Sequence, residues 1–368
     1  MLYEENALPP AIEDEPEIEN SNIDLVYGWV INMQGDNGLL ESAEDTDFVS
    51  LYDNALASIL FMGRGDFQKA EMVFDFFDAR IDSELMSGNG GFHQFRNSDG
   101  GNIRRTWLGD NAWLLIALNN YRNLTQSNKY DRLATELENW IRSLQNDDGS
   151  LAGGYNPDGT PIGIITEGII TAFNAVPGYD DFHRNLLQYL QDARWDADEL
   201  LLLTQKEAPA YQYALDLHTL SYLIFENFPS SVLDLADRYR TTQRSTVTNT
   251  EIDGYCFDDD TDVIWLEGTA QMALARGAAQ QHETRSQIIE ELEKNLIASS
   301  AVTPLKGLPY TSNQGTSFGA VLLWEHADLK PTLSSSIWYL FGKISFDPFA
   351  SEKYKSVPVG EQFWNPVM

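Results

Sequence analysis

Six short runs that are apolar on nearly every side recur along the chain. They are YDNALASILF around Asp53, GDNAWLLIAL around Asp110, ITEGIITAF around Glu167, LDLHTLSYLIF around Asp216, WLEGTAQMAL around Glu267 and SSSIWYLFG around Ser335. A helix without a polar face has to be enclosed by neighbours. Between these runs lie segments with one apolar face at helical spacing: FQKAEMVFDFFDARI from Phe67, YDRLATELENWIRSL from Tyr130, DFHRNLLQYLQDARW from Asp181, SSVLDLADRYRTTQ from Ser230 and HETRSQIIEELEKNLIASS from His282. That periodicity predicts helices with one wet face. The alternation predicts an inner ring of enclosed helices inside an outer ring, an all-α architecture of six helical hairpins. Alternating strand patterns are almost absent, and short hairpins are expected only in the long loops around Gly90–Thr106 and Asn249–Asp260.

The turns repeat as well. Trp29, Gln34 and Gly38 in WVINMQGDNG share their spacing with Trp140, Gln145 and Gly149 in WIRSLQNDDG, and a weaker copy in IDSELMSGNG ends at Gly90. Stacked open repeats such as tetratricopeptide units are shorter, more regular and joined by shorter linkers. The spacing therefore favours a closed ring.

Five of the six enclosed runs begin with a carboxylate, the place where free backbone N–H groups and the helix dipole favour one. Together with the W-x4-Q-x3-G turns, the GDNAW and WLEGT stretches and the closing YLFGKISFDPF, this pattern resembles the six-hairpin, or (α/α)6-toroid, glycosidase superfamily over residues 22–350. The resemblance implies a cleft where the inner helices start, lined by aromatics and carboxylates, and often an inverting hydrolysis of a glycosidic bond. It leaves residues 1–21 as an acidic leader and 351–368 as a tail packed on the toroid.

Glycoside hydrolysis needs one protonated carboxyl group on the leaving oxygen and one carboxylate acting on water or on the anomeric carbon. Asp110, Glu267, Asp53 and Glu167 are the catalytic candidates, each with helix capping as the plain alternative. Asp110 leads because Trp107 and Trp113 flank it, and Glu267 follows, with Trp265 two residues before it. Glutamate's higher reference pKa suggests Glu267 as the acid and Asp110 as the base. Trp107, Trp113, Trp265, Tyr52 and Tyr310 offer faces or hydroxyls to a sugar, and Asp216, Arg105, His93 and Gln314 offer hydrogen bonds. Two other readings stand beside hydrolysis. One is a sugar epimerase or polysaccharide lyase, which calls for a histidine or tyrosine base; the other is a carbohydrate-binding toroid without catalysis.

Charge narrows the partners. Lys and Arg number 24 against 56 Asp and Glu, a formal charge of −32, which argues against nucleic acid and anionic bilayers as ligands and favours a neutral glycan. No run of 18 apolar residues occurs, so no transmembrane helix is expected. The only cysteine, Cys256, excludes an intrachain disulfide and zinc-type spacing. Asp258, Asp259, Asp260 and Asp262 crowd one loop without the EF-hand pattern and are expected to be solvated. Neither metal nor cofactor is expected, and a monomer is. Met1–Asn20 shows no export signal, and the compartment stays open.

Overall fold

The computed structural model describes residues 21–204, 212–314, 316–318, 321–323 and 327–365. The acidic leader lies outside the described residues except for Ser21, whose hydroxyl caps the first helix by accepting from Asp24 N–H. Inner helices are α2 (Leu51–Gly63), α4 (Leu108–Thr125), α6 (Thr166–Ala175), α8 (Leu215–Ile224), α10 (Leu266–Ala278) and α12 (Leu333–Ile344). Outer helices are α1 (Asn22–Asn32), α3 (Phe67–Asp78), α5 (Asp131–Ser143), α7 (Asp181–Tyr189), α9 (Ser231–Leu235) and α11 (His282–Glu293).

Each inner helix packs on the next, and α12 returns to α2, which closes the ring. Five inner helices pair with the outer helix that follows them in the chain. The sixth pair joins α12 to α1, so the two ends of the chain complete the last hairpin. This all-helical closed toroid agrees with the sequence expectation. The enclosed runs are buried almost throughout: in α2 every residue from Asp53 to Met62 is buried, and Trp338, Tyr339 and Phe341 of α12 are at or near zero exposure. Past α12, Trp364 stacks on Phe225 and Lys355 donates to Val176 O at the end of α6, which ties residues 355–364 to the ring.

Two expected helices are shorter than their patterns. The segment from Ser230 is helical only to Tyr239. Arg240–Arg244 then turns into a strand paired antiparallel with Glu251–Tyr255, because exposed β-branched and long polar residues alternate there with half-buried ones. The run from His282 stops at Glu293, and Ile297–Ala298 pairs with Lys306–Gly307.

The repeated turns have a mechanical role. Gln34 donates from Nε2 to Gly38 O and to Lys69 O, and Gln145 donates to Gly149 O and to Phe182 O. Each glutamine thus stitches its own turn to the next outer helix. Gly38 (φ +91°) and Gly149 (φ +86°) hold backbone conformations that L side chains resist, and a Cβ there would lie 2.2 Å from Met72 O and 2.3 Å from Asn185 O. Asn54 and Asn111 supply the matching inner stitch. Asn54 brackets the backbone of Leu40 with one donated and one accepted bond, and Asn111 does the same to Phe92. In both copies the neighbouring aspartate is thereby left at the helix start.

Alanine at Gly38 or Gly149 is expected to lower the thermal midpoint sharply, since a backbone clash adds to about 1–2 kcal/mol of left-handed strain. At Gly65, with φ +83° and open space around it, alanine should cost only that strain. Thermal denaturation of the three variants checks the difference, and equal losses would contradict the stitch.

Candidate active site

The inner helices all start at one end of the ring, and there they surround a cavity of about 370 Å³. Asp110, Glu167, Asp216 and Glu267 line it, with Trp107, Trp113, Trp265, Phe257, Tyr52 and Tyr310 forming aromatic wall. Asp53 sits just behind this lining, only 7% exposed, and acts on the cavity through its charge. The starts of α4 and α10 are three inner helices apart in the ring, so Asp110 and Glu267 stand on opposite sides.

Glycine sets how closely these helices approach. A Cβ on Gly109 would come within 2.8 Å of Glu167 Oε2, and one on Gly268 within 2.2 Å of the Trp265 ring. Trp113 is buried at the floor, edge-on to Tyr52 and to Trp338. Trp338 donates from Nε1 to the Tyr52 hydroxyl at 2.7 Å, and that hydroxyl donates to Glu267 Oε1 at 2.6 Å. Gln271, one helical turn after Glu267, also donates to Oε1 at 3.4 Å and is itself held by Thr219.

Asp110 is held differently. Gln94 Nε2 donates to its Oδ1 at 3.3 Å, while Gln94 Oε1 accepts from Arg105 Nε at 2.7 Å, so one amide links a cation to a carboxylate. Oδ2 of Asp110, Oδ1 of Asp216 and Oε2 of Glu267 are buried without a hydrogen-bond partner. A buried oxygen left unsatisfied is costly unless something binds there.

Electrostatics follow from the crowding. Burial pushes all five carboxyl groups upward, because it penalises the charged form. Asp53 reaches about 7, with a Ser42 hydrogen bond opposing and the Glu267 charge adding. Asp216 also reaches about 7, and after burial the charge of Glu167 adds most. Asp110 is raised far above the usual range by burial, then by the charges of Glu167 and Asp53. Glu267 is raised by burial, but the Tyr52 hydrogen bond favours its ionised form.

Other sequence candidates lie elsewhere. The backbone N–H and ring Nδ1 of His93 both bond Glu84 Oε1, and His93 opens onto a separate polar cavity with Asn89 and Tyr155. Burial disfavours charge on Glu84, but hydrogen bonds from His93 and Arg96 hold it down to about 2. Gln314 is exposed beyond Tyr310 and outside the cavity lining. Arg105 stacks on Trp107, its guanidinium 4.3 Å from the ring centre, at the edge of the cavity. His218 is buried between Val232 O and the Tyr239 hydroxyl. In the acidic loop, Asp258 accepts from Asp260 N–H and Asp260 from Asp262 N–H. Among the described residues no group of three or more His, Cys, Asp or Glu is placed to hold a metal, and no helix is long and apolar enough to cross a membrane.

Gln94, Gln271 and Phe257 line the site and were missed by sequence reasoning. Gln271 had a signal, being four residues after Glu267 on the same helix face. Gln94 had none, because its position depends on a loop fold.

No protein-family model and no curated protein sequence matches the chain. Solved structures do. An α-amylase from Clostridium perfringens superposes with TM-score 0.62 at 11% identity, over 90% of this chain and 100% of that one. A sugar epimerase from a ruminal bacterium gives 0.59 at 10%, over 87% and 96%, and a glycosidase variant in complex with glucose gives 0.57 at 12%, over 90% and 96%. The chain therefore has the six-hairpin toroid fold that glycosidases and sugar epimerases share, and its structural neighbours are carbohydrate-active enzymes.

Asp53 provides a direct check on the electrostatics. Its pKa is raised in the fold, so its stabilising effect is full below the unfolded value near 3.9 and is lost as pH rises through about 7. Asp53→Asn should change stability little at pH 4 and raise it by roughly 1–3 kcal/mol at pH 8, read by urea denaturation at both pH values. A gain independent of pH would contradict the burial that, with the Glu267 charge, raises Asp53.

Proposed function

We propose that the protein is a glycoside hydrolase that cleaves an oligo- or polysaccharide with Asp110 and Glu267 as its proton-transfer pair. The observation that carries this is the cavity itself: buried carboxyl groups on opposite inner helices and aromatic walls, with no histidine among the described residues that line it. Epimerisation or elimination would ask for a histidine or tyrosine base. Both lining tyrosines are pushed far above the ordinary range, first by burial and then by the charge of Glu267, so they serve as donors. The glucose held by one structural neighbour and the amylase activity in another's name support a sugar ligand.

The surroundings favour Asp110 as the acid and Glu267 as the base, the reverse of what reference pKa values alone suggest. Burial first, and then the charges of Glu167 and Asp53, favour the protonated form of Asp110, whose Oδ2 has no hydrogen-bond partner and can meet a leaving oxygen, whereas Tyr52 and Gln271 both donate to Glu267. In the reaction the Asp110 proton goes to the glycosidic oxygen as its bond to the anomeric carbon breaks. Water attacks that carbon from the Glu267 side and gives its proton to Glu267. Carboxylates on opposite walls leave room for this water, which is the inverting arrangement. Asp53 and Glu167 act as charged neighbours that hold the proton on Asp110.

New reducing ends from a polysaccharide panel, formed without the ultraviolet absorbance of an unsaturated uronate, would establish hydrolysis, since elimination also frees a reducing end. On the substrate so found, Asp110→Asn and Glu267→Gln should each lower kcat by about 10²–10⁴-fold with KM nearly unchanged, since each swap removes proton exchange and keeps volume. Near-wild-type turnover in either variant removes that residue from the pair. Trp107→Ala should weaken binding of the same glycan to Asp110→Asn by roughly 1–3 kcal/mol, measured by calorimetry, and unchanged affinity would place Trp107 off the sugar.

A further inference from the structure

A second concavity of about 380 Å³ is lined by Phe48, Phe95, Arg96, Asn97, Asn102, Arg104, Arg105 and Pro157, and Arg105 links it to the carboxylate cavity through its contacts with Trp107 and Gln94. Its composition runs against the rest of the molecule. The chain has 56 acidic residues against 24 basic ones, and the cavities around Gln34, His93 and Arg80 all include Asp or Glu. This groove includes none and has three arginines.

The arginines differ in what they do. Arg96 is buried and spent on Glu84, with Nη2 to Oε1 at 2.6 Å and Nη1 to Oε2 at 3.2 Å. Arg105 is held by Gln94 and lies over Trp107, the residue that also lines the carboxylate cavity. Arg104 is exposed. Neither Arg104 nor Arg105 has a carboxylate of the described residues within 4.0 Å. Beside them Phe48 is 42% exposed and packs against Phe95 at 4.9 Å between ring centres. The wall is rigid, because Val49–Ser50 and Phe95–Arg96 pair as strands. Exposed phenyl faces suit the C–H face of a pyranose, and a guanidinium with free donors suits a carboxylate.

We propose that this groove is a distal subsite for a carboxylate-bearing sugar, so that the substrate is an anionic glycan such as a uronate-containing polysaccharide. The neutral glycan favoured by net charge is thereby replaced. The proposal rests on the hydrolase reading for its use in catalysis, but the binding stands by itself. The acidic unit would contact Arg104 and Arg105 and rest on Phe48, at the far side of Arg105 from Asp110, while the next sugar unit crosses Trp107.

Two measurements test it. In the first, methyl β-D-glucuronoside and methyl β-D-glucoside are titrated separately into the protein and the arginine Nε–Hε NMR signals are followed, with Arg104→Gln for assignment. The glucuronoside should shift the Arg104 and Arg105 signals saturably and the glucoside should not. No shift with either, or equal shifts with both, overturns the proposal. In the second, wild type and Arg104→Gln are compared on glucuronoxylan, polygalacturonate and alginate and on their carboxyl-reduced forms. The variant should raise KM at least fivefold on the carboxylated polymer with kcat held, and the effect should vanish on the reduced one. Cleavage of only neutral polymers, with Arg104→Gln indifferent, overturns the anionic substrate and leaves the hydrolase reading intact. Glucuronoside binding without any new reducing ends would overturn the hydrolase reading and leave the subsite.

Discussion

Closing six helical hairpins into a ring with every inner helix starting at the same end forces their N-termini together. Unpaired N–H groups and positive dipole ends from the whole ring converge on one small space. That convergence makes a crowd of acids tolerable there, and it explains why five inner helices begin with a carboxylate. The tolerance is partial. Burial still pushes Asp53 and Asp216 up to about 7, so the cavity stores protons where exposed carboxylates would have lost them. A site of this kind can give a proton to one atom and take one from another without a metal ligand set.

The ring needs its geometry held tightly for that to work, and the repeats show how. Gln34 and Gln145 anchor the outer ends of the turns, and Asn54 and Asn111 anchor the inner ends beside Asp53 and Asp110. Each aspartate is therefore positioned by the residue next to it in sequence. Helices α6 and α10 lack this device. There Glu167 and Glu267 are followed by Gly168 and Gly268, which let neighbouring rings and helices come close. Glu267 is then oriented from across the cavity, by Tyr52 of α2.

This division accounts for what was legible in the sequence. Apolar periodicity and the spacing of the W-x4-Q-x3-G turns carry the toroid, because both are local consequences of which faces are buried. The carboxylates were legible for the same reason, since each sits at a fixed place on its helix. Relations that join distant segments were not. Arg105 hydrogen-bonds to Gln94, which in turn donates to Asp110, and Glu84 captures His93, which was expected to offer hydrogen bonds to a sugar. The strand after Tyr239 was hidden as well, because its alternation begins where a helical pattern has not yet ended. Which carboxyl group keeps its proton depends on burial and on such cross-ring neighbours, neither of which reference values contain, so the proposed roles of Asp110 and Glu267 are the reverse of those read from the sequence.

The proposed reaction requires one cavity to hold a protonated Asp110 opposite an ionised Glu267. Carboxyl ¹³C NMR of the selectively labelled protein, followed through a pH titration, reads both groups directly. Asp110 should keep its proton to higher pH than Glu267, and the gap between them should narrow when Glu167 is replaced by glutamine, which removes the charge that raises Asp110. Titration of both groups together in the ordinary carboxylate range, or loss of the Asp110 proton first, would contradict the assignment.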